Sequence, residues 1–179
     1  MNIMLKNREY HKLQDYFMDF YRSEYMVDMI DCGNNIVNAI LNQKAAYAQS
    51  RDITVHIQAA LPESIGISDV QFCAVISNLF DNAIEAAEKT EHPTIEMNIK
   101  LIKNYLSIVC KNTVSHDVLK DNPNLHTTKS NKSDHGIGLQ VVHNIVEEHD
   151  GMIQFEMEDN KFKASVMLQI ESQVNMRPA

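Results

Sequence analysis

The hydrophobic and polar residues of this chain follow two different periods. Apolar residues recur every three or four positions within residues 10–27, 37–48 and 73–87. This spacing places apolar side chains on one face of an α-helix. Elsewhere the period is two, which is typical of a strand with one buried face. The alternating stretches are residues 53–59, 95–101, 106–110, 153–157 and 162–170.

Capping residues indicate where the predicted helices begin. Asn34 or Asn35 can cap the second helix, after a break at residues 31–33. Ser68 and Gln71 match the capping-box pattern S-x-x-Q, and the helix that they open is expected to end before His92-Pro93. One further helix is predicted after Gly138, and its apolar face carries Leu139, Val142, Ile145, Val146 and His149.

The strands predict the fold class. Their intervening residues are mostly polar, so each strand has one buried and one wet face. Such strands form a sheet that helices cover on one side, which is a two-layer α/β sandwich with a mixed sheet, preceded in this chain by an N-terminal helical segment. We expect residues 1–31 to form that helical segment and residues 32–179 to form the α/β domain.

Composition excludes several classes of protein. The net charge of -8 argues against general binding to nucleic acid or to an anionic membrane surface. Cys32, Cys73 and Cys110 form no CxxC pair, which indicates neither a zinc site nor a disulfide framework. No stretch approaches the roughly 18 apolar residues of a membrane span. We therefore expect a cytoplasmic location, with any membrane anchor of a parent protein outside these residues.

Residues 113–135 form an unusually long polar connection, rich in Asn, Ser, Asp, Lys and Thr. Connections longer than about 12–15 residues tend to be functional lids or disordered linkers. Within this stretch, Thr127, Thr128 and Lys129 are either solvated polar residues or donors that close over the phosphates of a nucleotide.

Asn78 and Asn82 are four residues apart, so they are neighbours on one helix surface, opposite the apolar face. They could simply belong to the polar face of a surface helix. However, asparagine is a mediocre helix former, and glutamate or lysine would suit a solvent face better. An amide oxygen can ligate a hard cation such as magnesium, which would explain the choice.

Gly136 and Gly138 lie where the polar connection enters the last helix. Glycine lets backbone amides approach a phosphate closely, and a helix N-terminus adds partial positive charge. A loop-to-helix junction without a ligand also uses glycine. Asn112, at the end of an alternating strand, is either a turn residue or a side chain that hydrogen-bonds the edge of adenine.

Taken together, these motifs resemble the GHKL superfamily of ATPases and kinases. NLFDNAIEA resembles the N box, KNTV stands where the G1 box is expected, and HGIGL resembles the G2 box. The order of the N box, TTK and HGIGL is most similar to the catalytic domains of quorum-sensing-type sensor histidine kinases. The resemblance covers roughly residues 34–171 and implies the Bergerat fold.

The resemblance implies a role for each matching residue. Asn82 is expected to ligate Mg2+, and Asn78 to help position the phosphates or the metal. Thr128 and Lys129 would belong to the lid, and Asn78 and Lys129 are the residues expected to take part in catalysis. The residues expected to contact ATP are Asn78, Asn82, Asn112, Thr127, Thr128, Lys129, His135, Gly136, Ile137, Gly138 and Leu139.

Two departures from the family pattern matter. The usual DxGxG of the G1 box is missing, and Asn112 stands near the position of the adenine-reading aspartate. Asn78 stands where hydrolysing members of the superfamily place a glutamate that activates water, and an amide cannot act as that base. The second departure favours phosphoryl transfer to a protein over hydrolysis of ATP.

A complete kinase of this type also has an acceptor histidine on a dimerising hairpin. Residues 7–20 resemble the second helix of that hairpin, and we interpret His11 as a surface residue. The chain is therefore expected to be a fragment, with ATP, the acceptor hairpin and a response regulator as partners, and it could form a homodimer through its N-terminal helix. The alternatives are a serine kinase of the anti-sigma type and a non-catalytic module that only binds proteins.

Overall fold

The computed structural model describes residues 30–122 and 137–170. Numbered in chain order, the helices of these residues are α1 (Asn35–Gln49), α2 (Asp69–Ala87), α3 (Val118–Asp121) and α4 (Ile137–Glu148). The strands are β1 (Thr54–Ala60), β2 (Thr94–Ile102), β3 (Tyr105–Thr113), β4 (Met152–Glu158) and β5 (Lys161–Gln169).

The strands form one mixed sheet in the order β1-β2-β3-β5-β4. β1 and β2 are parallel because α2 connects them, whereas the other neighbouring pairs are antiparallel. Tight turns join β2 to β3 and β4 to β5, and Lys103, Asp159 and Asn160 adopt positive φ angles there. Positive φ at such turns matches the right-handed twist of the strands that they join. The predicted mixed sheet is confirmed.

The two faces of the sheet differ as the alternation predicts. On one face the central strands place buried side chains under the helices, including Ile95, Ile108 and Val166. On the other face Lys111 pairs with Glu158 at 3.0 Å, and Lys163 pairs with Glu156 at 2.8 Å. The long helix α2 packs on β3 and lies between α1 and α4. The predicted two-layer α/β sandwich is therefore the observed architecture.

Helix α2 begins where the capping box predicts. The hydroxyl of Ser68 accepts a hydrogen bond from the backbone N–H of Gln71 at 3.2 Å. We expect Ser68→Ala to lower the free energy of unfolding by about 1 kcal/mol, since it removes this cap. Ser68→Asp keeps a preferred capping residue and should leave stability close to that of the wild type. Urea denaturation of the three proteins measures the difference.

The polar connection is shorter than the sequence predicts. β3 continues through Thr113, and the short helix α3 occupies residues 118–121. Asp117 caps α3, because its carboxylate accepts a hydrogen bond from the N–H of Lys120 at 3.2 Å. Such a short helix lacks the apolar periodicity by which longer helices are found. Similarly, His149 follows the end of α4 and is not part of it.

Some predictions fall outside the described residues. The N-terminal helical segment, as far as residue 29, is one of them, and the proposed lid is another. The predicted nucleotide contacts at Thr127, Thr128, Lys129, His135 and Gly136 therefore stay predictions. Within the parts of the chain that the structure describes, no helix combines the length and the apolar character needed to span a membrane.

Candidate functional site

Two of the predicted site residues meet where α2 faces α4. A Cβ atom added at Gly138 would lie 2.5 Å from Oδ1 of Asn78 and 3.3 Å from its Cγ. Real Cβ atoms do not approach an oxygen this closely, so only glycine allows α4 to approach the asparagine side chain as it stands. The part of α2 around Asn78 and the first turn of α4 are therefore in contact.

The side chain of Asn78 has a defined orientation. Its Nδ2 donates a hydrogen bond to the carbonyl of Ala74 at 2.7 Å. This bond leaves Oδ1 on the side of Gly138. Asn78 is half-buried between two helices, so it is not an ordinary residue of a solvent-facing helix surface.

Asn82 lies one helical turn further along α2 and is exposed. Its neighbour Asp81 is directed to α1, where its carboxylate accepts hydrogen bonds from Nζ of Lys44 at 2.6 and 2.7 Å. The carboxylate of Asp81 is therefore engaged by a lysine of α1, whereas the amide of Asn82 is exposed to solvent. Neighbouring turns place the Cβ atoms of Asn78 and Asn82 about 5–6 Å apart.

Asn112 is a buried polar residue at the end of β3, with 3% of its surface exposed. It is not a turn residue, because it pairs with Ile95 of β2 and with Phe162 of β5 within the sheet. Its Nδ2 donates to the carbonyl of Thr113 at 2.9 Å. Its Oδ1 makes none of the hydrogen bonds found among the described residues, so it remains available as an acceptor.

The contacts on either side of Asn112 place it along α2. Sγ of Cys110 lies 3.9 Å from the carbonyl oxygen of Leu79. Oγ1 of Thr113 lies 3.1 Å from Oγ1 of Thr90, just beyond the end of α2. Asn112 therefore lies beside the stretch from Leu79 to Thr90, which is the second half of α2 and the turn after it.

The first turn of α4 suits a phosphate. α4 begins at Ile137, and Gly138 and Leu139 belong to its first turn. This turn carries no acidic residue that would repel an anion. Unsatisfied N–H groups and the helix dipole favour negative charge at such a position.

The Cys110 thiol, two residues before Asn112 in β3, is neutral. Burial raises the pKa of the Cys110 thiol to about 12, so this neighbour of Asn112 stays protonated and is not a nucleophile. Among residues 30–122 and 137–170, no group of three or more His, Cys, Asp and Glu side chains could hold a metal ion. Mg2+ usually takes most of its ligands from water and phosphate oxygens, with only one or two from the protein.

A groove of about 550 Å³ lies on the open face of the sheet, with Glu96, Lys111 and Glu158 among its lining residues. Asn112 lies next to Lys111 in β3, so its side chain points to the opposite face. The predicted site residues Asn78, Gly138 and Asn112 all lie on the helix-covered side of the sheet.

Gln71 is one residue whose role the sequence does not reveal. The backbone N–H of Gln71 donates to the capping hydroxyl of Ser68. In its side chain, Nε2 donates to Glu148 at 2.7 Å, and Oε1 lies 3.2 Å from Nε2 of His149. These contacts connect the beginning of α2 to the end of α4. They hold the two helices of the site together from the end opposite Gly138. The capping motif alone could not indicate a contact with residues so distant in sequence.

Comparison with known proteins places this arrangement in a family. A model of the GHKL domain matches residues 67–169, which is more than half of the chain. That range includes Asn78, Asn82, Asn112 and Gly138. A search of curated proteins found no match.

Solved structures of similar fold include histidine kinases. The catalytic domain of histidine kinase ThkA, in a nucleotide-free form, has a TM-score of 0.61 and 19% identity, covering 75% of this chain and 90% of its own. The mycobacterial sensor histidine kinase MprB has a TM-score of 0.59 and 13% identity, covering 75% and 93%. The Acinetobacter baumannii histidine kinase AdeS has a TM-score of 0.56 and 14% identity, covering 96% and 84%. At these identities the likeness shows the fold, and it agrees with the predicted Bergerat sandwich.

Proposed function

We propose, because this chain belongs to the GHKL domain family, that it binds ATP with Mg2+ and transfers the γ-phosphate to a histidine on a dimerisation helix. It would thus be the catalytic part of a two-component sensor kinase. The observation that carries the proposal is the close approach of Gly138 to Oδ1 of Asn78. This contact joins α2, which carries Asn78 and Asn82, to the N-terminal turn of α4.

The residues present fit a magnesium nucleotide. Asn82 would ligate the ion through its amide oxygen, and the phosphates and water would complete the coordination. When bound, the ion neutralises charge that develops on the phosphates during transfer. Asn78, held by the carbonyl of Ala74, would position the phosphates near the N-terminus of α4.

The absence of a carboxylate at position 78 supports transfer over hydrolysis. The amide of Asn78 cannot take a proton from an attacking water molecule. Moreover, its Nδ2 is already engaged by Ala74. Positioning and electrostatic stabilisation would therefore supply most of the catalysis, as is usual for phosphoryl transfer. The lid residues Thr128 and Lys129 would close over the phosphates.

Asn112 is the group that we propose for recognition of adenine. Because Nδ2 donates to Thr113, Oδ1 is the atom that could accept a hydrogen bond from the exocyclic amine of the base, directly or through water. Asn112→Ala should weaken ATP binding by about 1–3 kcal/mol, or up to about a hundredfold. Isothermal titration calorimetry measures the affinity of the wild type and of Asn112→Ala for ATP and for GTP. An unchanged affinity for ATP would move recognition of the base to another residue.

The remaining partners follow from this assignment. We propose that residues 1–31 form part of a dimerisation and phosphotransfer hairpin, that this segment could mediate a homodimer, and that a response regulator receives the phosphate.

One experiment separates this function from its rivals. The chain is mixed with radiolabelled ATP, Mg2+ and a separate acceptor-helix hairpin from a related kinase. Phosphate on the hairpin that is labile in acid and stable in base supports a histidine kinase. Acid-stable phosphate on a serine of an added anti-sigma antagonist would instead support a serine kinase. If ATP does not bind in the presence of Mg2+, the chain is a non-catalytic interaction module.

A further inference from the structure

The chain enters the α/β domain through a short segment, residues 30–33, that lies along α1. Three asparagines of α1 and its cap are spaced four residues apart, at positions 34, 38 and 42. Asparagine is a poor choice within a helix, because its short polar side chain competes for backbone hydrogen bonds. The repeated spacing puts all three amides on one side of α1, where each finds a partner outside the helix.

Asn42 holds both backbone groups of one residue. Its Oδ1 accepts a hydrogen bond from the N–H of Ile30 at 2.9 Å. Its Nδ2 donates to the carbonyl of Ile30 at 2.9 Å and to that of Asn38 at 2.7 Å. A side-chain amide that pairs with the N–H and the C=O of one residue reproduces the pattern of a β ladder. It fixes both the position and the direction of that residue.

Asn38 holds the next part of the segment. Its Oδ1 accepts from the N–H of Cys32 at 2.8 Å, and its Nδ2 donates to Oδ1 of Asp31 at 3.0 Å. The carboxylate of Asp31 also accepts from the N–H of Gly33 at 3.1 Å. The hydrogen bonds from the N–H of Gly33 and from the side chain of Asn38 hold the pKa of the Asp31 carboxyl below its ordinary value.

The other side of the segment is fixed by the end of β1. The carbonyl of Cys32 accepts from the N–H of Leu61 at 2.7 Å. Gly33 has φ +90°, and a Cβ atom there would lie 2.3 Å from the carbonyl oxygen of Leu61. Asn34 completes the attachment, since its Nδ2 donates to the carbonyl of Glu63 at 2.9 Å. Residues 30–33 are therefore wedged between a helix and a strand end.

We propose that Asn38 and Asn42 are positioning residues, which fix the direction in which the N-terminal segment leaves the α/β domain. A free linker would let the α/β domain change its orientation relative to the N-terminal segment. The hydrogen bonds of Asn38 and Asn42, which we call the clasp, instead fix residues 30–32 on the folded domain. If the proposed kinase function holds, the clasp determines which acceptor side chain the bound nucleotide reaches.

Hydrogen exchange tests the clasp directly on this chain. The amides of Ile30 and Cys32 are expected to be protected in the wild type. Asn42→Ala should raise exchange at Ile30, and Asn38→Ala at Cys32, each by about tenfold or more, because these amides lose their acceptors. Gln43→Ala is the matched control, since this exposed residue of the same helix takes no part in the clasp. Unchanged exchange at both amides in both variants would overturn the clasp.

Catalysis tests the positioning role. In a fusion that carries the acceptor hairpin of a related kinase before Met1 of this chain, the Asn38→Ala/Asn42→Ala double variant should lower the rate of intramolecular phosphorylation at saturating ATP by about tenfold or more. The KM for ATP should not change, and transfer to a separate hairpin in trans should keep its rate. An intramolecular rate equal to that of Gln43→Ala would overturn the positioning role.

Failure of the proposed function has a different signature. In that case the wild type would neither bind ATP nor phosphorylate a hairpin in cis or in trans. The exchange measurement would still decide whether Asn38 and Asn42 hold residues 30–33.

Discussion

Gly138→Ala should abolish nucleotide binding and leave the protein folded. The added methyl group would lie 2.5 Å from Oδ1 of Asn78, so one of the two groups must move. Asn78 is the end of a side chain and can rotate away, which breaks its bond to Ala74 and removes it from the site. Alanine is also a better helix former than glycine, by up to about 1 kcal/mol. We expect affinity for Mg-ATP to fall by about a hundredfold or more, or about 2.8 kcal/mol.

Calorimetric titration and thermal denaturation measure the two effects separately. Gln140→Ala, at an exposed position of the same helix, is the control for a change of helix propensity alone. A double-mutant cycle with Asn78→Ala identifies the contact, because Gly138→Ala should cost little where the asparagine is already absent. If the two losses simply add, the contact between these residues does not position the nucleotide.

Asn82→Ala should make nucleotide binding almost independent of magnesium. On the proposed assignment the amide oxygen of Asn82 would be the ligand that α2 offers to the ion, so its removal would take away that contact between the metal and the protein. We expect binding of Mg-ATP to weaken by about tenfold to a hundredfold, or about 1.4–2.8 kcal/mol. Binding of ATP in the presence of a chelator should change far less. Titrations with and without Mg2+ give the comparison.

Two further variants sharpen this test. Asn82→Asp keeps an oxygen ligand, so it should retain the dependence on magnesium. Asn98→Ala removes an amide from the open face of the sheet, where it donates to Gln58, and should have no effect on nucleotide binding. Equal losses with and without the metal in Asn82→Ala would reject the metal role.

Much of the fold follows from patterns that are local in the sequence. The alternation in residues 95–101 and 106–110 predicts strands with one buried face, because successive side chains of a strand point to opposite sides. The S-x-x-Q pattern at Ser68 predicts the start of α2, because the cap is made within one helical turn. The motifs around Asn78 and Gly138 predict the family, which the match over residues 67–169 confirms.

Other features required the tertiary structure. Spacing alone suggested that Asn78 lies on the outer face of its helix, but α4 covers it. The sequence left open whether Asn112 is a turn residue. In the structure it belongs to the sheet, where it pairs with Ile95 and Phe162. The short helix α3 begins at a cap by Asp117, and no periodicity of apolar residues predicts it.

The amino-acid sequence by itself determined which elements form, which face of each is apolar, and which family motifs the chain carries, since these depend on residues a few positions apart. Only the tertiary structure decided that Gly138 meets Asn78, that Asn112 lies beside α2, and that Asn38 and Asn42 hold the entering chain. The physical reason is that such contacts depend on how packed elements approach one another, and buried area and close packing set that approach.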